Sequence, residues 1–286
     1  MALCALERFH SRASQRQKEH CHHAKDQTKV GGYFRAGEEP DYDADADGFS
    51  DEEAGNSRVE DFAVHLRMEG GSSAPATATD EGEVRGGRDA AAVWGNQQWP
   101  GGSLGRAFRP AVTRHAEAMV RAGHALHRAL KASRLGLRDY AVGGNGIGNG
   151  NGNASLMRML QYPPGATHGH MQAHTDYEAF TLIHQQSRGL QVLQDGEWRW
   201  APVSHSAGQY ILMAGDMLEF WTNGSVRAQR HRVCNESRKE KRNSLVVFFA
   251  ADDDTDASPV APPEGEGEGR VGSYLAACAK AGVRPE

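Results

Sequence analysis

The chain has 286 residues, a formal net charge of −5 and four cysteines. This length allows one large domain or two small ones, and the slightly acidic balance does not favour nucleic-acid binding. No apolar run approaches the roughly 20 residues that cross a bilayer, and the apolar N-terminal stretch is too short for a signal peptide. The cysteines are far apart and show no CxxC spacing, so we expect reduced thiols in a cytoplasmic protein.

The apolar residues are unevenly distributed. Leu, Ile, Val and Phe account for 46 of the 286 residues, and 20 of these 46 lie in residues 154–250. This distribution predicts one packed domain, flanked by an acidic stretch at 37–58 and a Gly-, Ser- and Ala-rich stretch at 70–92 that we expect to be disordered. The expected organisation is a partial helical region with insertions at 1–153, a folded domain at 154–251, and an acidic, Gly-rich tail with a short helix at 252–286.

The first half of the chain predicts mainly helices and loops. Residues 1–30 are polar and partly helical in pattern, and a short turn-rich element follows at 31–35. The strongest helix is predicted over 106–133, because its apolar residues recur at steps of three and four. The Gly- and Asn-rich run at 143–153 is typical of a flexible linker.

The pattern then changes to short runs rich in β-branched and aromatic residues. Turn residues separate these runs, and Asp195-Gly196 between two of them is a strong hairpin signal. Eight short strands with no intervening helix predict a mainly β fold, an antiparallel sandwich or barrel such as a jelly roll. The predicted strands are 156–162, 180–184, 190–194, 197–203, 210–213, 217–222, 231–234 and 244–250.

One constellation in this region indicates metal chemistry. His174 and Asp176 are two residues apart, and residues i and i+2 of a strand point to the same face. A second imidazole is available at His231, in another predicted strand. Two histidines and one carboxylate on one face of a metal, with the other positions open, is the arrangement of non-haem Fe(II) oxygenases. The alternative for His174 and Asp176 alone is a polar pair at a strand end.

A second pair indicates an anion site. Arg242 and Ser244 also stand at i and i+2, and a guanidinium with a hydroxyl is a good receptor for one carboxylate. The apolar run at 245–249 would place the pair inside a barrel, where an arginine needs an anion. That anion could be one of the protein's own carboxylates, but the pair's occurrence beside the His and Asp residues favours a ligand site.

The stretch from 156 to 250 resembles the catalytic domain of the isopenicillin N synthase-like family of Fe(II)- and 2-oxoglutarate-dependent dioxygenases. The resemblance implies a double-stranded β-helix, or jelly-roll, fold. It rests on segments that run in family order: Met157-Arg-Met-Leu-Gln-Tyr162-Pro-Pro164, Ala173-His-Thr-Asp-Tyr177, Phe180-Thr-Leu-Ile-His184, Gly189-Leu-Gln-Val-Leu193, Gly215-Asp-Met-Leu-Glu-Phe-Trp-Thr-Asn-Gly224, His231-Arg-Val233 and Arg242-Asn-Ser244.

The resemblance also implies roles for particular residues. His174, Asp176 and His231 would bind Fe(II). Arg242 and Ser244, helped by Tyr162, would hold the distal carboxylate of the co-substrate 2-oxoglutarate. In such enzymes, O2 and 2-oxoglutarate yield succinate and CO2 while a small organic metabolite is hydroxylated or otherwise oxidised.

The chain departs from the family pattern in two places. Leu160 and Gln161 stand where many plant members have Asn-Tyr, and the apolar strand that opens the family's N-terminal region is not evident before residue 154. Two alternatives therefore stay open. One is an oxygenase of the same fold that uses no 2-oxoglutarate, with Arg242 and Ser244 binding a substrate carboxylate. The other is a truncated, non-catalytic protein that binds a metal or a small acid.

Overall fold

The described part of the chain covers the whole predicted β domain apart from short gaps. The computed structural model describes residues 2–25, 31–36, 59–66, 97–133, 155–164, 171–204, 206, 208–234 and 240–250. The insertions expected at 37–58, 70–92 and 143–153, and the tail expected at 252–286, lie outside these residues.

In the described residues, two helices precede the first strand, one lies between the second and third strands, and one lies between the eighth and ninth. The helices are α1 (Ala2–Arg12), α2 (Gln15–His20), α3 (Gly102–Ala132) and α4 (Asp216–Trp221). The strands are β1 (Gly32–Phe34), β2 (Glu60–His65), β3 (Leu156–Tyr162), β4 (Met171–His174), β5 (Phe180–Gln185), β6 (Leu190–Gln194), β7 (Glu197–Trp200), β8 (Ile211–Ala214), β9 (His231–Val233) and β10 (Arg242–Phe249).

These strands form two antiparallel sheets. One sheet has the order β1-β2-β3-β10-β5-β8, and the other has the order β4-β9-β6-β7. Strands that are distant in sequence are therefore neighbours: β10 pairs with both β3 and β5, and β9 pairs with both β4 and β6. The chain thus passes repeatedly from one sheet to the other. This arrangement confirms the predicted mainly β, jelly-roll architecture.

The two faces of the six-stranded sheet are both buried. Its outer face packs against α1 and α3 in one apolar cluster, to which α3 contributes Phe108, Val112, Ala116 and Met119. Its inner face forms a second cluster inside the barrel, including Leu160, Ile183 and Val246. The predicted helix over 106–133 is therefore confirmed, and its apolar stripe serves as the cover of the outer face. In the part of the chain that the structure describes, no helix combines the length and apolarity that a bilayer crossing requires.

One predicted strand is wrong. Residues 217–222 lie in and after helix α4 instead, with Leu218 and Trp221 buried three residues apart, as on a helix face. Gly215 caps this helix where the chain passes closely over an earlier turn: a Cβ there would lie 2.0 Å from the Glu178 carbonyl oxygen. The aromatic content suggested a strand, but this close approach and the acidic first turn favour a helix start.

Three of the described strands were not predicted, namely β1 and β2 before residue 154 and β4 within the β domain. Strand β2 pairs along its whole length with β3 and so extends the inner wall of the barrel. Phe62 and Val64 on β2 and Leu66 directly after it alternate in the sequence and are fully buried. This period-2 signal could have identified the strand, but it is short and is flanked by polar, low-complexity sequence.

Candidate active site

The three residues of the predicted metal group come together inside the barrel. The Nε2 atoms of His174 and His231 each lie 3.6 Å from Asp176 Oδ1, and the two imidazole centroids are 4.3 Å apart. Within the described part of the chain, these residues form the one group of three or more ligating side chains whose donor atoms all lie within 4.8 Å of one another. Two imidazoles and one carboxylate are a donor set that fits Fe(II).

The strands bring the two histidines together across the four-stranded sheet. His174 on β4 is the direct register partner of His231 on β9. Asp176, which was expected on the same strand, lies two residues beyond the end of β4. Its position is held by other contacts instead, since its backbone carbonyl accepts from Asp216 N (2.8 Å) and its Oδ2 accepts from the Thr181 hydroxyl (2.5 Å).

The electrostatics of the group suit metal ligands. Burial by itself would raise the pKa of Asp176, but the hydrogen bond to His174, the charge of His231 and the Thr181 hydroxyl outweigh it and lower that pKa. Burial lowers the pKa of His231, which favours the neutral imidazole. Its Nδ1 lies 3.0 Å from the Gln229 carbonyl oxygen, which can only accept, so Nδ1 carries the hydrogen and Nε2 offers its lone pair.

Two further carboxyl groups lie near Asp176. Burial, with the charge of Asp176, raises the pKa of Glu178 to about 7. Burial also raises the pKa of Asp216 to about 6, against a hydrogen bond from Thr175. Both groups therefore ionise less readily than Asp176, whose pKa is lowered, and Asp176 is the carboxylate best suited to bind a cation.

The predicted anion site lies on the same inner face. Arg242 begins β10, is only 3% exposed, and is the register partner of Tyr162 on β3. Its guanidinium carbon lies 3.8 Å from the centroid of the Tyr162 ring. Among the residues that the structure describes, none accepts a hydrogen bond from Arg242 Nε or Nη2, although both atoms are buried. Burial lowers the pKa of Arg242, and Tyr162 opposes that shift.

The space for this guanidinium is provided by a glycine. A Cβ on Gly189 would lie 2.4 Å from both Cζ and Nε of Arg242. Such a contact is far inside van der Waals separation, so any other residue at position 189 would displace the arginine. A buried arginine with orphan N–H groups and a tailored pocket fits a small anion such as a carboxylate.

One cavity joins the two parts of the site. It is lined by the three metal-group residues together with Tyr162, Arg242 and Ser244. Ser244 is 2% exposed and lies two residues from Arg242 on β10. The rest of the lining is mainly apolar and contains one further charged residue, Arg158 on β3.

The structure also identifies residues to which the sequence assigned no role. Thr181 holds Asp176, Gly189 makes room for Arg242, and Arg158 lines the cavity. Thr181 and Gly189 lie within the motifs that carry the family resemblance, so these motifs could have identified both residues. Arg158 also lies in such a motif, but its partner, Asp61, lies in a region where no element was predicted.

Comparison with known proteins agrees with this geometry. Residues 153–251 match the sequence model of the 2OG-Fe(II) oxygenase superfamily. A 2-oxoglutarate-dependent dioxygenase of Didymella fabae is 36% identical over 104 residues, which are 34% of this chain and 31% of that protein. The 2-oxoglutarate-dependent dioxygenase caaD of Aspergillus niger is 27% identical over 181 residues, 61% of this chain and 54% of that protein.

The fold is also found in solved structures. The structure of JOX2 in complex with 2OG, Fe and JA superposes with a TM-score of 0.61 at 18% identity, covering 91% of this chain and 65% of that one. The chain spans about half or less of the length of the two curated relatives above. Residues 153–251 belong to the 2OG-Fe(II) oxygenase superfamily.

Proposed function

We propose that this protein is an Fe(II)- and 2-oxoglutarate-dependent oxygenase that oxidises a small organic molecule. The observation that carries the proposal is one cavity that contains both a two-histidine, one-carboxylate group and a buried arginine with unsatisfied N–H donors. The first suits a metal with open coordination positions, and the second suits a carboxylate. A dicarboxylic keto acid can use both.

Each residue has a distinct role in this proposal. His174, Asp176 and His231 hold Fe(II), with Thr181 and the Gln229 carbonyl orienting two of these ligands. Arg242 and Ser244 bind the distal carboxylate of 2-oxoglutarate, and Tyr162 lies against the guanidinium. When bound, the iron and 2-oxoglutarate supply the activation of O2, while the protein provides placement and an apolar, water-poor cavity.

The proposed class of substrate is a small organic molecule. The cavity lies inside the barrel and is lined mainly by apolar side chains with a few polar groups, as is usual for small-molecule sites. JOX2, whose fold is similar, was solved in complex with JA. We place the reaction in the cytoplasm, because the described cysteines Cys4, Cys21 and Cys234 are free thiols.

An anaerobic titration tests the proposal directly. Addition of Fe(II) and then 2-oxoglutarate to the full chain is expected to produce a metal-to-ligand charge-transfer band in the visible range. The band should disappear in Asp176→Ala, which removes a ligand, and persist in Glu197→Gln, which removes an exposed carboxylate on β7. A wild-type protein that never shows the band would contradict the proposal.

Turnover separates this function from the two alternatives. Succinate formation that depends on a small-molecule substrate supports the 2-oxoglutarate-dependent reaction. Oxygen consumption without succinate would indicate an oxygenase that does not use 2-oxoglutarate. Oxygen consumption that stays at background over a broad substrate screen, despite a normal charge-transfer band, would indicate a binding protein.

A further inference from the structure

The turn of residues 186–189, which joins β5 to β6, forms a wall of the proposed 2-oxoglutarate site. β3 and β5 flank β10 on opposite sides, so Arg242 on β10 has Tyr162 on one side and this turn on the other. The tyrosine ring centroid lies 3.8 Å from the guanidinium carbon. The backbone of Gly189 lies so close that a Cβ there would be 2.4 Å from the same carbon. The direction of the guanidinium is therefore set from both sides.

This direction decides how Arg242 can bind an anion. Among the residues that the structure describes, no acceptor is within hydrogen-bonding reach of its buried Nε and Nη2 atoms. These two nitrogen atoms are neighbours on one edge of the planar guanidinium, where they match the two oxygens of a single carboxylate. Because such a bidentate contact tolerates little rotation of the guanidinium, the position of Gly189 affects how tightly a carboxylate is bound.

Gln185 holds this turn from inside the barrel. It is the last residue of β5, is fully buried and lines the cavity. Its Oε1 accepts from the backbone N of Leu190 (3.2 Å), the residue directly after Gly189. Its Nε2 donates to the backbone carbonyl oxygens of Ala201 (3.3 Å) and Pro202 (2.9 Å). One side chain thus connects the end of β5, the start of β6 and the segment that follows β7.

Gln185 is satisfied without a ligand. An amide nitrogen carries two N–H groups, and Gln185 Nε2 has two acceptors in the backbone. Its oxygen already accepts from Leu190 N. A buried amide with these partners supports the neighbouring backbone, whereas the buried donors of Arg242 suit a ligand.

Gly189 itself is held by one backbone bond and by its neighbour in the chain. Its carbonyl oxygen accepts from Cys234 N (2.7 Å), a contact that uses no side chain. The neighbour Leu190 is held by the Gln185 side chain. A substitution of Gln185 therefore loosens Gly189 while it leaves the guanidinium of Arg242 chemically unchanged.

We propose that Gln185 is a positioning residue that makes the cavity select a dicarboxylic 2-oxo acid over a monocarboxylic one. It keeps Gly189 against the guanidinium of Arg242 and so fixes the edge that binds the distal carboxylate. The inference rests on the proposed function, since it takes that carboxylate as the ligand of Arg242. Gln185 should therefore affect how the distal end of the co-substrate is bound and leave the binding of its keto acid end unchanged.

Two co-substrates separate these two ends. 2-Oxopentanoate has the keto acid end and the chain length of 2-oxoglutarate, but a methyl group replaces the distal carboxylate. Anaerobic charge-transfer titrations of the Fe(II)-loaded full chain give a dissociation constant for each acid. The wild type should bind 2-oxoglutarate about 100-fold more tightly than 2-oxopentanoate, because only 2-oxoglutarate makes the charge-assisted contact. Gln185→Met should weaken 2-oxoglutarate binding about tenfold and leave 2-oxopentanoate binding unchanged.

The control is Gln194→Met, which makes the same substitution at the exposed end of β6 and should keep the full preference. Equal weakening of both acids in Gln185→Met would show a general loosening of the barrel and overturn the proposal, as would an unchanged preference. A wild type that binds the two acids equally has a different meaning. It shows that the distal carboxylate is not recognised, so the proposed function fails together with this inference.

A double variant shows whether Gln185 acts through Arg242. Arg242→Met removes the contact to the distal carboxylate, so in that background Gln185→Met should change neither dissociation constant. A further tenfold loss of 2-oxoglutarate affinity in Gln185→Met/Arg242→Met would show that the two residues act independently, and it would overturn the positioning role.

Hydrogen exchange in the wild type keeps the proposal testable if Gln185→Met does not fold. The Leu190 amide donates to Gln185 Oε1, so its exchange rate reports the opening of this contact. By linkage, a ligand whose binding depends on the contact must also stabilise the contact. At saturation with Fe(II) and acid, 2-oxoglutarate should slow this exchange about tenfold relative to 2-oxopentanoate. Equal exchange rates with the two acids overturn the proposal.

Discussion

The two buried arginines of the cavity are held in opposite ways. Arg158 pairs with a buried carboxylate from β2, whereas Arg242 lies against a tyrosine ring and, among the described residues, leaves two buried nitrogen atoms without an acceptor. The charge of Arg158 is matched within the protein, whereas the buried donors of Arg242 suit a ligand. The same residue type on adjacent strands therefore has different consequences for stability and binding, and substitutions at the two positions should separate them.

The largest effect is expected for Arg242→Met. Loss of charge-assisted hydrogen bonds to the distal carboxylate should weaken 2-oxoglutarate binding by about 100-fold or more. The ligand-free protein should keep its stability or gain some, because an unmatched buried charge is removed. A charge-transfer titration measures the affinity, and urea unfolding measures the stability. Unchanged affinity would show that the anion site lies elsewhere.

Arg158→Met should show the reverse pattern. It leaves the carboxylate of Asp61 buried without its counter-charge, so we expect the free energy of unfolding to fall by about 3 kcal/mol while 2-oxoglutarate affinity is retained. Urea unfolding of the single variant and of Asp61→Asn/Arg158→Met provides the test. The double variant should recover most of the loss. If it is as unstable as the single variant, the destabilisation comes from packing rather than from charge.

A smaller effect is expected for Gly189→Ala. The added Cβ would push the Arg242 guanidinium from its position, because the clash distance is 2.4 Å. We expect about a tenfold loss of 2-oxoglutarate affinity with little effect on the Arg158 region. Gly208→Ala is the matched control, since a Cβ there meets no atom within 4 Å. Equal affinities for the two variants would show that Arg242 can shift without cost.

The smallest effect concerns the strand that carries Asp61. Its neighbour Glu60 accepts from His10 Nδ1 (2.6 Å) and Lys18 Nζ (2.7 Å), which attaches β2 to the first two helices. Burial would raise the pKa of Glu60, but these hydrogen bonds outweigh it and lower that pKa from 4.5 to about 2. Because the folded-state pKa is the lower one, the stabilisation is present above pH 4.5 and is lost as the pH falls toward 2.

Comparison with Glu60→Gln isolates this contribution. The difference in unfolding free energy between wild type and variant, measured by urea unfolding from pH 7 to pH 2.5, should shrink as the pH falls. Its size at pH 7 should be about 1 kcal/mol, as is typical of partly exposed pairs. A difference that stays constant with pH would show that the negative charge of Glu60 does not contribute to the stability of the fold.

Sequence patterns determined much of the barrel and most of the site. Short runs of β-branched and aromatic residues predicted seven of the strands from 156 to 250, because strand periodicity is a local property. They did not predict β4, and the run at 217–222 lies in and after α4 instead. The residue types and spacing of His174, Asp176, His231, Arg242 and Ser244 predicted a metal and carboxylate site. The structure places all five around one cavity. These predictions needed the chemistry of the side chains, the local spacing within each pair, and the order of the motifs along the chain.

Only the tertiary structure decided the rest. The position of Asp176 depends on Thr181 and on the start of α4, not on strand alternation. Asp61 and Arg158 are 97 residues apart, and their pairing depends on β2 docking beside β3. A lone buried carboxylate or arginine in a sequence does not reveal its partner, because burial and pairing are set by contacts between distant segments. For that reason, the sequence did not predict the difference between Arg158 and Arg242, which follows from the pairing of distant strands in the sheet.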